Sequence, residues 1–255
     1  SYSRLMTMLL TSKIQIHIIT IFSPSAMNSL WLKLQRQFLE ETTKIPYRYS
    51  VYLNGCDEKL FSDVEIIGRQ KYTYEPRGFS YNHVQCLQKL ISKIDQSCEY
   101  FLLLDSDCFP ITENWHQILN RKMSEFGFDQ ASPIRFENLD TFPHPSAMFF
   151  NKNGINNFNP TILETMNLLG KKCQDTSCKA SFFPLLRTNR VNVHPICAAI
   201  YYDIFYHHGA GSREISFRST DVDRYYEYPN HRDWAAEATR QLIEDPHRLI
   251  NRLRR

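Results

Sequence analysis

A chain of 255 residues, 42% hydrophobic and 22% charged, holds enough apolar material for one large α/β domain, or for one domain with a small appendage. Its formal net charge of +3 is too small to argue for a nucleic-acid partner, and no apolar run approaches the ~20 residues of a membrane span. Residues 1–10 hold one Arg and a short apolar patch without a small-residue cleavage site, so they do not read as a signal peptide. The seven cysteines are scattered, and Cys173 and Cys178 form no CxxC pair; reduced thiols in a cytoplasmic protein are the simplest reading.

The elements alternate along the first half. Residues 13–22 are rich in isoleucine and read as a first strand. Ser23-Pro24-Ser25 breaks the run, with Ser25 placed to cap a helix whose apolar face is Met27, Leu30, Trp31, Leu34 and Phe38. Residues 48–53 form a second strand ended by the turn Asn54-Gly55-Cys56-Asp57, and residues 64–67 a short third. A loop over 74–80 leads into a helix lined by Val84, Leu87, Leu90, Ile91 and Ile94, with Ser80 as its cap. The run 100–104 is the next strand, and Thr112 is placed to cap a helix carrying Trp115, Ile118 and Leu119. This order predicts an α/β fold with a central, mostly parallel mixed sheet flanked by helices.

The second half is less regular. Residues 129–136 and 146–151 read as strands around a polar and aromatic loop, 137–145, of the kind that builds binding sites. Residues 161–186 are expected to be mainly helical, with a break over 170–177. Residues 191–193 and 200–207 suggest two more strands. From 229 the chain reads as a helical tail: Trp234, Ala235, Ala238 and Leu242 share one face, and Asp245-Pro246 starts a helix lined by Leu249, Ile250 and Leu253.

Five apolar or aromatic residues, Tyr100 to Leu104, run straight into Asp105-Ser106-Asp107. A strand buried on both faces that ends in two carboxylates needs water, a basic partner or a metal to compensate them. Asp105 and Asp107 share a side of an extended backbone, so both can face one divalent cation. The carboxyl ends of strands in open α/β sheets are where ligands bind. Roughly a hundred residues later comes His207-His208-Gly209-Ala210-Gly211-Ser212-Arg213. Carboxylates with one imidazole suit Mn2+ or Mg2+. Gly209 and Gly211 allow backbone N–H groups to approach phosphates, and Arg213 can add a charge-assisted bond to a diphosphate. The plainer counterparts are two solvated loop acids and a structural histidine pair.

In their order along the chain, the first-strand loop, the Asn54–Asp57 turn, residues 77–82, the Asp-Ser-Asp and the His-His-Gly stretch resemble a nucleotide-sugar-dependent glycosyltransferase of the GT-A fold, DxD-containing and family-2-like. The resemblance covers residues 13–218. It implies a Rossmann-like GT-A domain over 1–228, followed by the helical tail over 229–255. It implies a hexosyltransferase-like enzyme that uses Mn2+ or Mg2+ to move a sugar from a UDP- or GDP-sugar to a glycan or glycoconjugate acceptor, with inversion. By the same resemblance Asp105 lies near the donor ribose or the metal, Asp107 is a direct metal ligand, and His207 or His208 completes the metal site. Ser23, Asn54, Asp57, Arg77, Asp105, Ser106, Gly209, Gly211, Ser212 and Arg213 would face the donor. Strand alternation turns one of the two histidines inward without saying which. Inverting members place an acidic base, often in a Glu-Asp pair, at a helix start. No such pair occurs in 151–200, so Asp175 is the candidate base, with Glu137, Asp140 and Glu164 as alternatives and helix capping as its structural role. Arg135, Asn138 and His144 are candidates for the acceptor side. Two rivals stand beside this reading. One is a GT-A-like domain that binds nucleotide or glycan without turnover. The other is a metal phosphohydrolase of the haloacid-dehalogenase type, whose Asp-x-Asp normally follows the first strand.

Overall fold

Seven consecutive buried residues form the centre of the sheet. β1 (Ile16–Phe22) is buried along its whole length, as a strand covered on both faces must be. The computed structural model describes residues 15–72, 79–135, 142–166, 172–189, 198–209 and 231–255. β1 lies between two parallel neighbours, β2 (Tyr47–Asn54) and β4 (Tyr100–Asp105). β3 (Glu65–Gln70) extends the sheet parallel to β2. On the other side β7 (Ala147–Asn151) runs antiparallel to both β4 and β6 (Gln130–Pro133), and β10 (Phe183–Leu185) runs parallel to β6. The order is β10-β6-β7-β4-β1-β2-β3, a mixed and mostly parallel sheet. α1 (Asn28–Thr42), α2 (Phe79–Ile91), α3 (Trp115–Phe126) and the short α4 (Lys152–Asn156) complete the first part of the molecule. α1 buries Trp31, Leu34 and Phe38, the stripe its spacing predicts.

Several local expectations are corrected. Ser25 accepts from the Met27 N–H at 3.1 Å, and Met27 itself flanks α1. Ser80 lies inside α2 rather than before it. Thr112 donates to the Asp203 carbonyl, while Asn114, in the left-handed region at φ 57°, flanks α3 without a side-chain cap. Residues 161–186 are not mainly helical: β8 (Pro160–Met166) and β9 (Lys172–Cys178) form an antiparallel hairpin, and β10 follows. Short apolar runs do not distinguish strand from helix by periodicity, and packing decides. Here the hairpin lies against α2, and Cys178 joins Phe158, Leu87 and Phe150 in one buried cluster. Residues 200–207 divide into β11 (Ala199–Tyr201) and β12 (Phe205–His207), with Tyr202 and Asp203 at φ 54° between them. The strand expected at 191–193 lies outside the described residues.

A second, three-stranded sheet has the order β11-β12-β5, where β5 (Cys108–Pro110) begins directly after Asp107. The tail forms α5 (His231–Glu244) and α6 (Pro246–Arg254), and the Asp245 carboxylate caps α6 through the Arg248 N–H at 3.0 Å. Ala238, Leu242, Leu249, Ile250 and Leu253 share one buried cluster with Trp31, Phe38, Phe109 and Tyr206. Ala238 and Leu242 of α5 and the apolar face of α6 are therefore part of the core. No helix among the described residues is long and apolar enough to cross a membrane, and Cys56, Cys86, Cys98, Cys108 and Cys178 form no disulfide.

A polar knot, buried at His17 and Ser50, holds the end of the sheet where β1 begins. His17, fully buried, lies 3.0 Å from Ser50 Oγ through Nε2, and its Nδ1 accepts from the Asp95 N–H at 3.2 Å. Ser50 donates to Glu65 at 2.7 Å, and Arg48 pairs with both Glu65 and Asp95. Burial, then the Arg48 charge, lowers the His17 pKa to about 4. The unfolded chain binds this proton near 6.5 and the folded chain only near 4, so stability is lost as pH falls through that window. The slope expected from this residue is up to about 1.4 kcal/mol per pH unit. Urea unfolding of wild type and His17→Gln between pH 7 and pH 4.5 checks this. The variant should show the shallower pH dependence, and equal slopes would remove His17 from the account.

Candidate metal and donor site

The apolar residues of β4 end at Asp105, where the chain leaves the seven-stranded sheet. It turns through Ser106 and Asp107 and enters the three-stranded sheet as β5. Three contacts fix the turn. The Asp105 N–H donates to the Ser146 carbonyl at 3.0 Å, and the His208 N–H donates to the Asp107 carbonyl at 3.0 Å. Gln35 of α1 donates from Nε2 to the carbonyls of Asp105 and Cys108, each at 2.8 Å. Antiparallel pairing sets His207 opposite Cys108 and so beside Asp107.

The result is a compact group. One ligand atom each from Asp105, Asp107 and His207 lie within 4.8 Å of one another. His207 Nε2 is 3.5 Å from Asp107 Oδ1. Asp107 and His207 are buried, while Asp105 keeps 25% of its side chain exposed, so the group opens towards solvent on the Asp105 side. Burial alone would lower the His207 pKa. The Asp107 charge and hydrogen bond, with the Asp105 charge, outweigh it and raise the pKa. Two carboxylates and an imidazole fit Mn2+ or Mg2+, which take oxygen and nitrogen donors and share their coordination with water and phosphate.

The two histidines point to different surroundings. His208 has Nδ1 at 2.8 Å from the Tyr206 hydroxyl and Nε2 at 3.1 Å from Thr239 Oγ1 of α5, and its ring lies 5.0 Å from that of Trp31. Burial is the main cause that lowers its pKa to about 4. It joins β12 to α5 and is not a member of the acidic group.

Of the residues expected to face a donor, Ser23 follows the carboxyl end of β1, Asn54 ends β2 and Asp57 follows it. Ser23 Oγ accepts from Asn54 Nδ2 at 3.0 Å, and Asn54 Oδ1 accepts from Gln70 Nε2 at 3.0 Å. Asn54 thus ties three strand ends together. Gly55 turns at φ 80°, and a Cβ there would come within 2.5 Å of Tyr72 Cβ, so the turn requires glycine. Asp57 is exposed and caps a short 3-10 helix (Glu58–Phe61) through the Lys59 N–H at 3.0 Å. Ser106 is buried within the turn, and Gly209 follows His208 at φ 62°. Arg77, Glu137, Asn138, Asp140, Gly211, Ser212 and Arg213 lie outside the described residues.

Asp175 does not stand at a helix start. It lies within β9 opposite Leu163, so activation by a helix dipole does not apply to it. Glu164 is exposed on β8 opposite Gln174. His144 is buried, with Nδ1 2.9 Å from Ser146 Oγ and its ring 5.7 Å from that of His207. The Arg135 charge opposes protonation of His207. Two neighbours escaped sequence reasoning. His83 of α2 has Nε2 3.6 Å from Asp105 Oδ1. Gln35 carried a visible signal, since it is a polar residue inside the apolar stripe Trp31, Leu34 and Phe38.

No protein-family model and no curated protein matches the chain. Solved structures do. A galactosyltransferase, LgtC, in complex with donor and acceptor sugar analogues is 14% identical with a TM-score of 0.38, over 53% of this chain and 58% of that one. A mannosyltransferase, PcManGT from Pyrobaculum calidifontis, in complex with GDP-Man and Mn2+, is 10% identical with a TM-score of 0.40, over 57% and 47%. TarS of S. aureus in complex with UDP-GlcNAc is 12% identical with a TM-score of 0.35, over 56% and 47%. The likeness is to glycosyltransferases, and the chain spans about half the length of each.

The histidine pair supplies a direct check. His207→Ala should weaken Mn2+ binding about tenfold or more. His208→Ala should instead lower stability by roughly 1–3 kcal/mol, since it removes the imidazole that bonds to the buried Tyr206 and Thr239 hydroxyls. Titration calorimetry with Mn2+ and urea unfolding separate the two outcomes. Equal effects of both variants on metal affinity would contradict the geometry.

Proposed function

We propose that the chain is a metal-dependent glycosyltransferase, hexosyltransferase-like, that moves a sugar from a UDP- or GDP-sugar to a hydroxyl of a glycan or glycoconjugate. The observation that carries the reading is the convergence of Asp105, Asp107 and His207 at the carboxyl end of a buried strand. Asp105, Asp107 and His207 would hold Mn2+ or Mg2+, which when bound offsets the charge that develops on a leaving diphosphate. The remaining work falls to side chains and backbone. Asp105, open to solvent and beside His83, faces the donor. Gly209, Gly211 and Ser212 offer backbone N–H groups to phosphate oxygens, and Arg77 and Arg213 offer charge-assisted bonds. Ser23, Asn54, Asp57 and Ser106 shape the edge on which the nucleotide rests.

In the transfer, the acceptor hydroxyl oxygen bonds to the anomeric carbon while the bond from that carbon to the diphosphate oxygen breaks, and the electron pair leaves with the nucleoside diphosphate. The hydroxyl proton passes to a carboxylate base, and the sugar inverts. Asp175 is the base we propose. The β8–β9 hairpin that carries it packs on α2, the helix that brings His83 to Asp105.

Release of nucleoside diphosphate from a panel of UDP- and GDP-sugars, with and without Mn2+, tests the reading. Asp107→Asn should keep the fold and lose metal-dependent release. A wild-type rate in that variant would sink the site assignment. Specific binding of a nucleotide sugar without turnover would mark a binding domain instead, and release of phosphate from simple phosphate esters would mark a phosphohydrolase. Asp175→Asn should lower turnover roughly a hundredfold or more, the scale of a lost general base, with little change in donor affinity. Full activity of that variant, or a product of retained configuration, would remove Asp175 from the mechanism.

A further inference from the structure

The turn that carries the two aspartates spans two sheets, and one side chain bridges its base. Gln35 is fully buried on α1. Its amide nitrogen donates to the carbonyl that precedes the Ser106–Asp107 step and to the carbonyl that follows it, at 2.8 Å each. Its amide oxygen accepts from the Tyr49 hydroxyl at 2.8 Å. The two carbonyl acceptors fix which end of the amide is nitrogen, and the tyrosine holds the other end. A single planar group thus sets the separation of Asp105 O and Cys108 O.

We infer that Gln35 is a positioning residue: it holds the Asp105–Cys108 turn at the spacing that brings the Asp105 and Asp107 carboxylates to one cation. The inference rests on the metal reading above. Gln35 faces the backbone side of the turn, so it acts on the ligands through the main chain and not on the ion. Methionine keeps the length and bulk of the side chain and cannot donate to either carbonyl. Phenylalanine at position 49 leaves both donor bonds and removes only the hydroxyl that orients the amide.

The experiment compares wild type, Gln35→Met and Tyr49→Phe with Met123→Ala, a core truncation on α3. Each folded protein is titrated with Mn2+ alone, and amide hydrogen exchange is followed at residues 105–108 and in β6. Gln35→Met should weaken Mn2+ binding about tenfold or more, the scale of a lost outer-shell partner, and should speed exchange at 105–108 relative to β6. Tyr49→Phe should move both readouts in the same direction by about two- to threefold, and it carries the test if Gln35→Met does not fold. Met123→Ala should leave the affinity and the exchange pattern of the turn unchanged. Wild-type affinity and exchange in the folded position-35 and position-49 variants would overturn the inference, as would equal losses in Met123→Ala. If wild type binds no Mn2+, the metal reading falls separately, and exchange at the turn alone decides whether Gln35 holds it.

Discussion

A carboxylate with only 5% of its surface open to solvent, as in Asp107, cannot remain charged without compensation close by, because desolvation costs several kcal/mol for an ion left unpaired. One compensation is the imidazole of His207, 3.5 Å away. That ring comes from a residue remote in sequence, and only the antiparallel pairing of β12 with β5 delivers it. The pairing in turn depends on how each strand is anchored. β5 is fixed at its start by Gln35, and the end of β12 is fixed by His208, whose ring reaches Thr239 while its backbone N–H holds Asp107.

The consequence is that the acidic group is assembled from four parts of the chain. β4 and the turn after it supply the aspartates, α1 supplies the amide beneath that turn, β12 supplies the imidazole, and α5 holds β12 in place. The C-terminal helices are therefore a structural support of the site as well as a cover for the core. Arg254 adds to this by donating to the carbonyls of Ile111 and Asp203, next to β5 and β12.

The sheet divides labour between its two ends. Where β1 begins, His17, Ser50, Glu65, Arg48 and Asp95 satisfy one another, and this network has the character of a structural tie with its buried end at His17 and Ser50. At the opposite end Asn54 joins the strand termini, and Asp105 at the end of β4 keeps part of its side chain open to solvent. Ligand sites of open α/β sheets occur at that carboxyl edge because the strands end there and the loops can diverge.

Features set by neighbours along the chain were legible in the sequence. The unbroken apolar runs of β1 and β4, the stripe of Trp31, Leu34 and Phe38, the glycine turn at Gly55, the cap at Asp245 and the aspartate pair all follow from local periodicity, backbone freedom and charge. The order of the strands β1 to β4 and of the three helices over the first 126 residues follows from the same signals, whereas β5 and the short 3-10 helix were not foreseen. What depends on partners distant in sequence was not legible. The hairpin at 160–178 read as helix with a break over 170–177 because its packing on α2 is a long-range fact. Thr112 read as a cap because its acceptor, the Asp203 carbonyl, lies 91 residues away. Strand alternation required one of His207 and His208 to face inward, but direction has meaning only once β12 has a neighbour on each side. Pairing with β5 gives His207 to the aspartates, and packing against Trp31 and Thr239 gives His208 to the core.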